Sequence, residues 1–188
     1  MKVKAGKETR ALVFFGILVC MAFLTLGFAQ STISPRLRQK MHNAVKSTFE
    51  VTEFQLIPLS VNDRLNEKTA IELGKENLYK INEDQKVIGY AYLGQAPSMK
   101  NSFDYLVLFN PDMGIRKSKV LIYREDYGRQ IGSQRWLKQF IGKKMGDSLL
   151  YGEDVDAISG ATISAKSMTK AVEDVLKSMV ILKKEKIL

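Results

Sequence analysis

The residues able to do chemistry in this chain are few, and they gather late in it. There is one cysteine, Cys20, and one histidine, His42, so no intrachain disulfide can form and no Cys/His zinc site can be assembled. A Ser-His-Asp or Cys-His machine would rest wholly on His42. What remains is the run Asp154-Val155-Asp156-Ala157-Ile158-Ser159-Gly160-Ala161-Thr162-Ile163-Ser164, where small residues and hydroxyls precede a long amphipathic pattern. Gly160 and Ala161 let a backbone come close to a ligand, and a helix amino terminus offers free N–H groups and a partial positive charge to an anion. Thr162 and Ser164 add hydroxyls there, a composition suited to holding a phosphate. The same residues also make an ordinary capping loop, with Ser164 capping the following helix and Gly160 turning the chain, and physics alone leaves both readings open.

The elements that must position this segment can be read from periodicity. A chain of 188 residues has room for one ordinary domain and a short appendage, and 45% hydrophobic with 26% charged residues is a globular composition. After Pro35 the apolar positions Leu37, Met41, Ala44, Val45 and Phe49 recur at helical spacing, with His42 among the polar positions as a solvated side chain. Phe54 to Leu59 reads as a short strand interrupted at Pro58, and Asn62 to Lys75 fits no template. From Leu78 the pattern is β-rich. LYKIN and KVIGYAYLG flank a turn at Asn82 to Gln85, and FDYLVLF and SKVLIYRE flank NPDMGIRK, giving two hairpins. A helix with Trp136, Leu137, Phe140 and Ile141 follows and stops near Gly142; helical spacing puts Trp136 and Phe140 on one core stripe. A last helix from about Ser164 to Leu182 buries Met168, Val172, Val175, Leu176 and Met179. The expected fold is α+β, a small antiparallel sheet of two hairpins covered by helices.

The amino-terminal segment sets the compartment. Ala11 to Ala29, ALVFFGILVCMAFLTLGFA, carries no charge behind Lys2, Lys4, Lys7 and Arg10, which reads as a transmembrane or signal helix. Its length favours an uncleaved anchor, while Gly27 and Ala29 suit cleavage before Gln30; either outcome places the rest outside the cytoplasm, membrane-anchored or secreted into the periplasm. The expected organisation is a membrane anchor or signal segment at 1–29, a juxtamembrane helix and connecting region at 30–76, and the main domain at 77–188. The formal charge of +9 divides accordingly, with four basic and one acidic residue before position 30, and 25 basic and 19 acidic after it. Arg116-Lys117-Lys119, Arg129-Arg135-Lys138 and Lys143-Lys144 read as a solvated basic face, since no nucleic-acid motif accompanies them.

The run Asp156-Ala157-Ile158-Ser159-Gly160-Ala161-Thr162 resembles the flavinylation motif of the FMN-binding domain family, which includes the G subunit of the Rnf electron-transport complex and the C subunit of the sodium-translocating NADH:quinone reductase. GYAYLG, FDYLVLFNPDMGIRKSKVL, YREDYG, WLKQFIGKK and the carboxyl-terminal helix resemble the family's successive blocks, over roughly residues 85 to 180. The resemblance implies FMN esterified through its phosphate to Thr162 by a separate flavin transferase outside the membrane. It also implies a phosphate pocket shaped by Ser159, Gly160 and Ala161, Ser164 as donor to the phosphate or helix cap, and Asp156 as the acid the transferase recognises. The family's Glu-Thr-Pro-Gly segment over the flavin is here Glu125-Asp126-Tyr127-Gly128. Glu125 and Gly128 match by position, and Tyr127 is either a stacking partner of the flavin ring or a packed loop aromatic.

The implied function is an extracytoplasmic electron-transfer flavoprotein relaying electrons in a membrane-associated redox chain, with a redox partner protein or an electron-transport complex beside it. Such a role asks for no catalytic side chain and no metal, because the cofactor carries the chemistry. The departure at Asp126-Tyr127 favours a stand-alone shuttle over an ion-pump subunit. The alternative is an unflavinylated extracytoplasmic binding or adaptor domain of the same fold.

Overall fold

In the computed structural model, residues 33–74 and 76–188 are described. The apolar segment from Ala11 to Ala29 lies outside them, and among the described residues no helix is long and apolar enough to cross a membrane. Residues 33 to 188 pack as one compact unit.

The first helix, α1 (Pro35–Phe49), starts where the sequence provides for it: the Ser34 hydroxyl accepts from the Leu37 amide at 3.3 Å, and Pro35 occupies a first-turn position whose N–H would be unpaired anyway. Strand β1 (Gln55–Pro58) and the single turn α2 (Asp63–Asn66) follow, then β2 (Leu78–Glu83) and the long β3 (Lys86–Pro97). Asp84 and Gln85 connect β2 and β3 with φ of 46° and 65°, the two positive values that suit a tight hairpin to the twist of its strands. Strands β4 (Ser102–Phe109) and β5 (Ile115–Ile122) complete an antiparallel sheet in sequential order, β1-β2-β3-β4-β5. The α+β class and the two hairpins are present. The sheet has five strands rather than four because β1 pairs with β2 from Gln55↔Asn82 to Pro58↔Tyr79, as an edge strand, where a proline is tolerated.

Both faces of the sheet are covered, so β4 is buried almost throughout instead of alternating. On one face Tyr79, Ile81, Ala91, Leu93, Leu106 and Leu108 pack against Leu37, Met41, Ala44 and Val45 of α1. On the other, Tyr92, Phe103, Tyr105, Val107 and Phe109 pack against the final helix, α4 (Thr162–Lys184). Met168, Val172, Val175, Leu176 and Met179 of α4 are fully buried, and each such side chain contributes about 1.5–3 kcal/mol relative to exposure.

Three expectations change. The segment with Trp136 is no full helix; it is a 3₁₀ turn (Arg129–Gly132), one α-helical turn α3 (Gln134–Leu137) and another 3₁₀ turn (Lys138–Phe140). Trp136 and Phe140 still enter the core, edge to face with ring centres 5.3 Å apart. His42 is half-buried against Phe54, ring centres 4.2 Å apart, and burial with Lys46 nearby lowers its pKa. Helix α4 begins two residues before Ser164, at Thr162.

Candidate functional site

Antiparallel pairing places the β3–β4 turn and the end of β5 at one end of the sheet. The amino terminus of α4 reaches the same end, tied there by the Ser167 hydroxyl, which donates to the Pro97 carbonyl. Between these three segments lies a cleft of about 480 Å³, whose walls include Met99, Asn101, Tyr123, Glu125, Tyr127 and Thr162. That volume is within the ordinary range for small-molecule sites. A larger depression of about 720 Å³ opens at the other end of the sheet, beside His42, Lys46, Phe54 and Asp84. Its walls come from the carboxyl-terminal half of α1, the start of β1 and the β2–β3 turn, with no helix amino terminus among them, so the cleft at Thr162 is the candidate.

Helix α4 arrives there uncapped. Ala161 is the cap residue, with φ −135° and ψ 22°, and no side chain accepts from the first-turn amides. The first-turn N–H groups have no acceptor within the helix and lie at the positive end of the helix dipole. Thr162 is the first helical residue; its hydroxyl is exposed and donates to the Ile158 carbonyl at 3.3 Å. Ser164 is neither exposed nor the cap: it is 3% exposed, and its hydroxyl shares a 2.9 Å hydrogen bond with the Tyr123 hydroxyl.

Two glycines shape the approach to this helix. Gly160 has φ 75° and Gly128 φ 76°, in the left-handed region. At Gly128 the need is also for space, because a Cβ there would lie 2.8 Å from the Tyr123 hydroxyl oxygen and 3.1 Å from the Gly160 carbonyl. The loop after β5 and the loop before α4 therefore touch at Gly128.

Glu125 acts across the cleft mouth. Its carboxylate accepts from the Ser98 hydroxyl at 2.7 Å and from the amides of Lys100 and Asn101 at 2.7 and 2.8 Å. These hydrogen bonds, the one from Ser98 foremost, hold its pKa down at about 2. Beside it, Arg124 pairs with the buried Asp104 at 2.5 Å, and Gln95 donates to the other Asp104 oxygen at 2.7 Å. Tyr127 is 86% exposed and Met99 74%, so the cleft carries an apolar rim with Ile163 on its helix side.

The structure thus brings Glu125, Tyr127, Gly160, Ala161, Thr162 and Ser164 to one cleft, with Gly128 buried behind it. Ser159 and Asp156 flank it. The exposed Asp156 lines a separate depression of about 410 Å³ with Arg135, Trp136 and Gln139. Sequence reasoning passed over Ser98, Met99, Asn101, Tyr123 and Gln139. The first three belong to the turn between β3 and β4, and hairpin topology alone puts that turn beside the end of β5. Among the described residues no cluster of three or more His, Cys, Asp and Glu side chains is arranged to hold a metal ion.

The α+β domain thus sets an uncapped helix terminus, a glycine-shaped approach and an exposed threonine hydroxyl in one cleft of small-molecule size, an arrangement suited to an anionic group. Residues 99–177 match the family described as FMN-binding domain. The match includes both the turn at Met99 and the helix start at Thr162. In fold, the chain is similar to the crystal structure of Shewanella oneidensis NqrC, with a TM-score of 0.57 and 17% identity over 82% of this chain and 100% of that one. No curated protein matches it in sequence.

Proposed function

We propose that the chain is an electron-transfer flavoprotein that carries FMN covalently through Thr162 and works outside the cytoplasm, delivered there by the apolar segment from Ala11 to Ala29. The observation that carries the proposal is the placement of Thr162: an exposed hydroxyl on the first residue of an uncapped helix, inside a cleft of about 480 Å³. An ordinary capping loop does not fit as well, since no side chain caps this helix and Ser164 is already bonded to Tyr123.

A phosphate ester does not form spontaneously from a free phosphate in water, so a flavin dinucleotide, with its phosphoanhydride, is the donor. The Thr162 Oγ1–P bond would form as the anhydride P–O bond breaks, with the nucleoside monophosphate as leaving group and the hydroxyl proton passing to solvent or to the flavin transferase. The first-turn amides of α4 would hold the ester's negative charge. Gly160 gives the backbone room, and Ser164, fixed by Tyr123, backs the turn. Glu125 holds the β3–β4 turn against the loop after β5, and Tyr127, Met99 and Ile163 offer apolar surface to a planar ring. Bound FMN supplies one- and two-electron chemistry, and the protein's share is position and electrostatics. The redox partner is either a membrane electron-transport complex or a separate extracytoplasmic reductase.

The test is intact mass after co-expression with a flavin transferase. An FMN-sized increment that disappears in Thr162→Ala is expected. An increment that survives Thr162→Ala sinks the assignment, and colourless protein without one favours the unflavinylated binding domain.

A further inference from the structure

The loop that precedes Thr162 is anchored at its ends and at the half-buried Ile158, which packs against the core, and its other residues are bare. Val155 is fully buried and Ala161 is 5% exposed, whereas Asp156, Ala157, Ser159 and Gly160 face solvent. The anchor beside Val155 comes from the short helical segment before it. The Trp136 indole N–H donates to the Asp156 carbonyl at 2.7 Å, and Gln139 Oε1 accepts from the Asp156 amide at 2.9 Å. Gln139 is oriented in turn, because its Nε2 donates to the Trp136 carbonyl at 3.2 Å. A buried indole needs some partner for its N–H. Here the indole and Gln139 grip one residue by both its carbonyl and its amide, leaving its carboxylate outside.

We propose that Trp136 and Gln139 are positioning residues for flavin attachment: they hold the main chain of Asp156 so that its carboxylate and the Thr162 hydroxyl meet the flavin transferase in one fixed arrangement. This rests on the covalent reading above. The depression that Trp136, Gln139 and Asp156 line shares no wall residue with the cleft at Thr162. A docked transferase can therefore grip the loop from that side without entering the space the flavin fills. Losing either hydrogen bond lets the loop spread over conformations of which a fraction is competent, and the apparent affinity falls by that fraction. The loss corresponds to a change of about threefold to tenfold.

The experiment uses the full chain as acceptor, with a flavin transferase and a flavin dinucleotide, and follows the initial rate of the mass increment against acceptor concentration. Trp136→Phe keeps a ring and removes the donor; Gln139→Met keeps the length and removes the acceptor. Each is expected to raise the KM for acceptor about threefold to tenfold at near wild-type kcat, with an unfolding midpoint lowered by no more than about 4 °C. A purely structural role lowers the midpoint and leaves KM alone, and that result overturns the inference. So does a fall in kcat at unchanged KM. Should Trp136→Phe fail to fold, the half-exposed Gln139 decides through Gln139→Met. Wild-type protein that takes up no flavin overturns the attachment reading and this inference with it; wild-type uptake with unaltered variants overturns this inference alone.

Discussion

Gly128 and Gly160 share a backbone conformation, with φ of 76° and 75°, and differ in what surrounds them. This makes Gly128→Ala and Gly160→Ala a controlled pair. An alanine in the left-handed region costs about 1–2 kcal/mol. At Gly160 little else opposes it, since the nearest atom to a built Cβ is Gln130 Nε2 at 4.0 Å. At Gly128 the Cβ meets the Tyr123 hydroxyl oxygen at 2.8 Å and the Gly160 carbonyl at 3.1 Å. The carbonyl is backbone, and the tyrosine moves only by lengthening its 2.9 Å bond to the buried Ser164. Overpacking of this kind adds about 1–3 kcal/mol. Gly160→Ala is therefore expected to cost about 1–2 kcal/mol and Gly128→Ala about 2–5. Guanidinium titration measures both, with the slope m unchanged if only stability has changed. Gly128→Ala is also expected to slow flavin incorporation, because it pushes the loop after β5 away from the start of α4. Equal destabilisation by the two substitutions would refute the close contact of these loops.

Glu125 predicts an acid dependence at the cleft mouth. Its folded pKa of about 2 lies below the ordinary 4.5, so its contribution is fully present above 4.5 and is lost as the pH falls through about 2. Hydrogen exchange at the Lys100 and Asn101 amides should accelerate across that window, and in Glu125→Gln at neutral pH; unchanged exchange in the variant would remove Glu125 from this role. Arg124→Met leaves the Asp104 carboxylate, 1% exposed, with only Gln95 for a partner, while the Arg124 side chain itself is 39% exposed. Stranding a buried charge costs about 3–5 kcal/mol, to be discounted for that exposure, so denaturation should show a loss of about 2–3 kcal/mol. Tyr123→Phe deletes the partner of a buried hydroxyl and should cost about 1 kcal/mol while slowing attachment at Thr162; a silent variant would mean that Ser164 needs no support.

Periodicity revealed the elements that bury a face, and topology decided the rest. Helix α1, both hairpins and the stripe of α4 were legible because Leu37-Met41-Ala44-Val45 and Met168-Val172-Val175-Leu176-Met179 repeat at helical spacing. The stretch at Trp136 showed the same spacing and is only one α-helical turn between two 3₁₀ turns. Two core aromatics four residues apart need no longer helix than that. Ser164 carried a cap's residue type, but Tyr123, distant in sequence, takes its hydroxyl, and the helix starts at Thr162. Glu125 was legible as a position by its resemblance, whereas its partners, Ser98 and the amides of Lys100 and Asn101, follow only from the pairing of β3 with β4 and β4 with β5.

The same helix fills the core and begins at Thr162, and on the proposed attachment this links flavin incorporation to stability. Ala165 and Met168, one and two turns into α4, are fully buried against the sheet, so Thr162 sits on a rigid element rather than on a free loop. The rim opposite comes from two loops held by polar ties, the three hydrogen bonds that Glu125 accepts from Ser98, Lys100 and Asn101 and the bond between Tyr123 and Ser164. Breaking a tie therefore moves the walls of the cleft and leaves Thr162 in place. Truncating Met168 acts the other way, loosening the helix that carries the hydroxyl while both ties remain. Stability and flavin incorporation should consequently fall together for substitutions in the buried stripe of α4, and separate for substitutions at Ser98 and Glu125.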